Sequence, residues 1–457
     1  MFTWLYLGLL IVITLIWLWF NLSPTMRQNV TQRLEPTEPQ GASLRSPATT
    51  FDPQSTAGLR LAARTDTHFP HVLILVPGRN EASFLPTTLV ELCEQDYPNY
   101  TVAFIDDHSS DETPAITAKL TARYPHLFVL RNEIEPPLGW VGKCWAIKRG
   151  YEAWKSSRFN VQSSKLKGNA LATNNFPDAS PTPDTLNPTP DLICLTDADI
   201  HWHPACLRTA VEVMQREKAD IVSLFPGMIF GSVVERVLMG TLTFALLALF
   251  PVSKAMDPAH PDTLTAGAFI LTRRKLYDQI GGHESVRTQV VEDVNLGRKL
   301  KAAGGKVWIA FTQNLITCRM YEGWSDIWEG LTKNAYAGME YKPHVAAGLL
   351  TANLFALTLT PIYVVISAIW LCLTGSAASI VATTLALAIV LLQARVMNGV
   401  RRNFALPLRY AFSLPLGAAI YLPIALASIW RYYRGGNNWK GRSYGKATVE
   451  HDQACTK

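Results

Sequence analysis

Hydrophobic and polar positions follow three rhythms along this chain. The opening stretch, MFTWLYLGLLIVITLIWLWFNL, carries no charge over about 22 residues, enough for a helix to cross the roughly 30 Å hydrocarbon core of a bilayer. From His71 onward, short β-branched runs (VLILV, TVAFI, LFVL, LICLT, DIVSLF) alternate with helical stretches such as TPAITAKLTARY and HPACLRTAVEVMQRE. That alternation predicts a mainly parallel sheet covered by helices. After Lys342 the apolar runs lengthen again. AAGLLTANLFALTLTPIYVVISAIWLCLTG and ASIVATTLALAIVLLQA are each long enough to span, and RYAFSLPLGAAIYLPIALASIW is a third candidate, interrupted by Pro415 and Pro423.

The expected organisation is a transmembrane anchor at 1–22, a flexible Thr/Pro/Gln/Ala linker at 23–70, an α/β domain at 71–342, transmembrane helices at 343–432 and a basic tail at 433–457. Within the domain, the Ser/Asn/Pro/Thr tract at 156–190 reads as a disordered surface insertion. The apolar run VLMGTLTFALLALFPV, within 232–252, is short for a span and has candidate site residues on both sides. It reads as an interfacial helix or one buried against the membrane segments.

Charge orients these pieces. The first cations, Arg27 and Arg33, follow the opening segment, which by the positive-inside rule places the α/β domain in the cytoplasm. Three further crossings would export the basic RYYRGGNNWKGRSYGK tail, so the last segment is expected to be re-entrant. Charged residues are 17%, hydrophobics 48% and mean hydropathy +0.10, the balance of a part-membrane, part-soluble protein. The net charge of +6 is scattered, which argues against a nucleic-acid partner. Seven cysteines without a CxxC pair suit a reducing compartment.

The candidate chemistry lies where the β-runs end, the edge at which open α/β sheets bind ligands. VPGRNEA brings Pro77, Arg79, Asn80 and Glu81; FIDDHSSDE brings Asp106, Asp107 and Asp111; LTDADI brings Asp197 and Asp199; VVEDVNL brings Glu292 and Asp293. Any one of these carboxylates is explained as a helix cap. Together at one sheet edge they would repel, and a divalent cation or ligand hydroxyls would relieve that repulsion. Asp197 and Asp199 have the spacing to offer two oxygens to Mg²⁺ or Mn²⁺, ions whose shells substrate phosphates commonly complete. Glu292 and Asp293 open an amphipathic helix, either as an acidic first turn or as a general base toward an attacking hydroxyl. Lys143 in LGWVGKCWA, and Arg319 and Lys333 in RMYEGWSDIWEGLTKN, are cations that a leaving diphosphate needs. The aromatics around the latter two suit sugars or apolar acceptors, or a belt beside the membrane.

In order along 71–342, VPGRNEA, IDDHSSDE, GWVGKCWA, TDAD and VEDVNL resemble a family 2 glycosyltransferase. The resemblance implies a GT-A fold, a Rossmann-like α/β nucleotide-diphospho-sugar transferase domain, here joined to transmembrane α-helices. GWVGKCWA, RMYEGW with EGLTKN, and WKGRSYGK further resemble the membrane-bound subgroup linked to hopanoid and carotenoid biosynthesis. By that resemblance Pro77, Arg79, Asn80, Glu81, Asp106 and Asp107 hold the uridine and ribose. Asp197 and Asp199 flank the diphosphate, Asp199 as direct metal ligand, and Lys143 approaches the nucleotide end. Asp293 is the base with Glu292 beside it, and Lys333 is the diphosphate cation. Where processive members carry Gln-x-x-Arg-Trp this chain has EGLTKNAY, which argues against polymer synthesis. The expected activity is inverting transfer from a UDP-hexose to a hydroxyl of a membrane lipid such as a carotenoid or hopanoid. The alternatives are a ceramide- or polyprenyl-phosphate-type transferase, and a non-catalytic membrane-anchored nucleotide-sugar binder.

Overall fold

The computed structural model describes residues 2–22, 33–34, 69–164, 190–289, 291–339, 341–434, 437–439 and 442–444. The strands of the α/β domain are β1 (Arg33–Leu34), β2 (Val72–Gly78), β3 (Tyr100–Asp107), β4 (Leu127–Asn132), β5 (Leu192–Leu195), β6 (His201–Trp202), β7 (Ile221–Phe225), β8 (Gly227–Met228), β9 (Ile270–Arg273), β10 (Val307–Thr312) and β11 (Ile316–Cys318). The main sheet has the order β1-β10-β7-β9-β5-β2-β3-β4. It is parallel except for β9, which runs antiparallel to both β5 and β7. β6, β11 and β8 form a second, small sheet.

The strand sequences explain this placement. Residues alternate between the two faces of a strand. In β2, Ile74 and Val76 pack into one core with Phe104 and Leu89, while Leu73 and Leu75 pack into the other with Ile105 and Trp154. Burial on both faces requires an unbroken apolar run, which is what VLILV supplies. Register then aligns the polar ends: Gly78 pairs with Asp106 and Leu75 with Leu195, so the residues after β2, β3 and β5 emerge at one edge.

All five β-runs read from the sequence are strands. Their hydrophobic rhythm did not reveal β9, β10 or the small sheet. Within the 156–190 tract, residues up to 164 continue the Gly142–Ser164 helix. Residues 165–189, most of the 23–70 linker and most of the tail lie outside the described residues.

Among the described residues, two helices are long and apolar enough to cross a membrane, Ala377–Asn403 and Leu414–Arg434. There are three if Pro343–Thr358 and Thr360–Thr374, bent by 47°, count as one span. The Phe2–Leu22 helix packs along this group: Tyr6 Oη donates to Tyr363 O at 3.0 Å and Asn21 Nδ2 to Leu392 O at 3.2 Å. The segment expected to break at its prolines is a continuous helix, and the bend falls two segments earlier, within residues 343–374. Pro415 sits in the first turn, where a missing N–H costs nothing. The Val233–Leu249 helix lies against these apolar helices, with Phe244 stacked on Trp17 at 5.6 Å and Gly240 facing Met397.

Candidate active site

The GWVGKCWA turn opens the Gly142–Ser164 helix and is docked by Val141 N donating to Arg287 O at 2.7 Å. This places Lys143 at the carboxyl edge of the sheet. Its Nζ lies 2.5 Å from Asp197 Oδ1 and 2.7 Å from Glu292 Oε1, joining the loop after β5 to the start of the Glu292–Ala302 helix. Burial alone would lower the Lys143 pKa, but Asp197, Glu292 and Asp293 outweigh it and hold the amine charged, well above its ordinary value.

Asp293 is fixed from three directions. Gly267 N donates to its Oδ2 at 2.9 Å and Val294 N to its Oδ1 at 2.8 Å, while Thr265 Oγ1 donates to its backbone carbonyl at 2.6 Å. Burial and the neighbouring Glu292 push its pKa up to about 6, against the pull of Lys143 and these amides. Gly267 is the meeting point: a methyl group there would lie 3.0 Å from Lys143 Nζ, 3.3 Å from Asp197 Oδ2 and 3.5 Å from Asp293 Oδ2.

Asp199 is likewise pushed up to about 6, by burial and by the charges of Asp197 and Glu81. That coupling brings the loop after β2 to the same site. The loop is laced to the one after β3: Asn80 N donates to Ser109 Oγ at 2.9 Å, and Ser110 N to Asn80 Oδ1 at 2.8 Å. Asn80 takes a left-handed φ of 56°, which its short polar side chain tolerates. Asp106 Oδ1 accepts from Ser109 N at 3.0 Å, while its Oδ2 is buried without a hydrogen-bond partner. Asp107 accepts from Asn132 Nδ2 at 3.0 Å. Pro77 is the penultimate residue of β2, opposite Ile105, with Arg79 half-buried just beyond the strand.

The structure therefore joins Lys143, Asp197, Glu292 and Asp293 directly and ties Asp199 to them through charge. Asp106 and Asp107 flank this group across the Asn80 loop. Lys143 bridges Asp197 and Glu292, the two acidic pairs of the site. Lys333 is half-buried on the Trp324–Gly338 helix and is not among the residues lining the cavity beside Asp293. Sequence reading missed Gly267 and Thr265, which sit in an uncharged LTAGAF run with nothing to mark it. It also missed His283, which lines the cavity, lies 2.7 Å from Tyr277 Oη through Nδ1 and is held neutral by burial, its pKa pushed down to about 3.

The chain is a glycosyltransferase, and its mainly parallel sheet with one reversed strand and acidic loops at the carboxyl edge is the GT-A architecture of that class. It belongs to the family described as "Glycosyltransferase like family 2", which matches residues 70–325, more than half of the chain. The beta-monoglucosyldiacylglycerol synthase of Trichormus variabilis is 44% identical over 68 residues, 14% of either chain. The Synechocystis sp. enzyme of the same name is 38% identical over 66 residues, again 14% of either chain. Among solved structures, the mannosyltransferase PcManGT from Pyrobaculum calidifontis, in complex with GDP-Man and Mn²⁺, has a TM-score of 0.47 at 19% identity, covering 92% of this chain and 99% of that one. S. aureus TarS 1–349 gives a TM-score of 0.34 at 14% identity, covering 81% and 95%.

Proposed function

We propose that this glycosyltransferase moves a hexose from a UDP-sugar to a hydroxyl group of a membrane lipid, in one in-line displacement that inverts the anomeric centre. The observation that carries the reading is the convergence at Gly267 of a raised carboxylate, a charged amine and the first aspartate of the Asp-x-Asp pair. Asp293 takes the proton from the acceptor hydroxyl as it attacks, with Glu292 and Lys143 setting the charge around it. Lys143 is the cation placed to meet the leaving diphosphate. Asp106, with one buried oxygen still free to accept, and the Pro77–Glu81 loop receive the uracil and ribose.

Asp197 and Asp199 suit Mg²⁺ or Mn²⁺. Asp199 is raised first by burial and then by the charge of Asp197, and a divalent cation relieves both. Among the described residues no three acidic, histidine or cysteine side chains gather as a ready-made metal site, and phosphate oxygens of the donor would complete the shell. The metal, when bound, stabilises charge on the departing diphosphate.

A lipid acceptor is favoured by the apolar helices packed beneath the domain and by the relatives, matched over a short stretch, that are named for glucosyldiacylglycerol synthesis. A carotenoid or hopanoid alcohol is the acceptor the tail and Trp-rich motifs favour, with the active site on the cytoplasmic side where UDP-sugars are found. The test is to incubate membranes containing the full-length protein with radiolabelled UDP-glucose and Mn²⁺, then extract and identify the labelled product. Label in an organic-soluble glycolipid, lost on chelation, is expected. Label only in a water-soluble polymer overturns the reading, as does a failure to transfer from UDP-sugars.

A further inference from the structure

The Leu414–Arg434 helix has the length and apolarity of a span, yet both of its ends are fastened to the same soluble domain. In the connection leading into it, Gln313 Nε2 of the β10–β11 loop donates at 2.8 Å to Arg402 O, in the last turn of the Ala377–Asn403 helix. There Tyr410 also packs with Phe230 and Val237. At the other end, Arg431 Nη1 donates to Thr332 Oγ1 at 2.9 Å and Tyr336 N donates to Ser428 Oγ at 3.0 Å, both partners lying on the Trp324–Gly338 helix. Contact also runs between the ends. A methyl group at Gly417 would come within 2.9 Å of Val237 O, and Ile424 packs with Leu238 and Leu331. A helix of 21 residues is about 30 Å long at a rise of 1.5 Å per residue. Crossing the hydrocarbon would separate its ends by the membrane thickness and break one set of these contacts.

The outward face fits a different placement. Leu416, Leu426, Trp430 and Tyr433 are exposed, at 57%, 57%, 59% and 55%. At about 100° per residue they fall on one stripe, opposite the buried Gly417, Ile424, Ala425 and Ser428. The stripe continues into exposed Leu408 and Phe412, and cations flank it: Arg409 lies 5.5 Å from the Tyr410 ring centroid and Arg434 4.1 Å from that of Trp430. Apolar rings and aliphatic groups bordered by arginines match the acyl–headgroup boundary of an anionic bilayer.

We propose that Leu414–Arg434 does not cross the membrane but lies along its surface beneath the catalytic domain, with the Leu416–Leu426–Trp430–Tyr433 stripe set into the lipid headgroup region. This placement is independent of which sugar or acceptor the enzyme uses.

The test places a nitroxide at Leu416→Cys, Leu426→Cys or Tyr433→Cys in full-length protein carrying Cys372→Ser and Cys455→Ser. The protein is reconstituted in phosphatidylcholine–phosphatidylglycerol vesicles, and oxygen and nickel-chelate accessibilities are compared. An equal, shallow depth at all three positions is expected, and a profile deepest at Leu426 overturns the proposal. Impermeant maleimide gives a second reading that does not depend on spin-label packing. Arg409→Cys and Arg434→Cys should both react from the side that labels the exposed catalytic-domain variant Lys119→Cys, and reaction from opposite sides overturns it.

Discussion

The backbone amide of Gly267 donates to Asp293 Oδ2 at 2.9 Å, so the residue that aims the carboxylate also leaves room for Lys143 and Asp197 beside it. Lys143 Nζ and Asp197 Oδ2 stand 3.0 and 3.3 Å from where a Cβ on residue 267 would be, closer than most such contacts, and Asp293 Oδ2 stands at an ordinary 3.5 Å. Substitution therefore disturbs positions rather than deleting a functional group.

Gly267→Ala is expected to lower kcat by about 10²-fold, the order of loss that follows a small misplacement of reacting groups. Thermal stability should change little. Steady-state rates beside a melting curve check this; full activity in the variant shows that the convergence at Gly267 is not the catalytic geometry.

Acidity should gate the reaction in a defined direction. A carboxylate whose pKa is raised to about 6 is protonated, and useless as a base, below that pH. At saturating Mn²⁺ and donor, kcat should climb as pH rises through about 6 and level off above it. Asp293→Asn should abolish that limb and cost about 10²- to 10⁴-fold in rate, while UDP still binds. An unchanged pH profile in the variant would remove Asp293 from the role of base.

Lys143→Met deletes the charge that opposes the upward shift of Asp293. The acid limb should move to higher pH and the KM for the sugar nucleotide should rise. A variant that changes KM alone would confine Lys143 to donor binding.

Much of this site was legible because chemistry and strand ends coincide in the sequence. VLILV, TVAFI and LICLT each end in polar residues, and parallel register brings those ends to one edge. Asp197 and Asp293 carry charge, so their spacing could be read. Gly267 and Thr265 could not be found this way, because they contribute an amide, a hydroxyl and an absence of bulk, none of which stands out in an apolar run. The bridging place of Lys143 depends on where the 286–287 backbone docks the GWVGKCWA turn, a tertiary contact without a local signal. Among the apolar helices, hydrophobic length identified the segments. It misplaced the break: Pro423 lies inside an unbroken helix, while the 47° bend falls after Thr358.

The reversed strand β9 has a consequence for how the polypeptide is made. It fills the gap between β5 and β7, pairing with both, yet it is synthesised after them. A nascent chain that has not reached Ile270 presents two unpaired, highly apolar strand borders, a template for self-association. Truncations ending between Phe225 and Ile270 should consequently aggregate, whereas a chain that has passed Arg273 closes this gap and leaves the far border of β7 to be covered by β10.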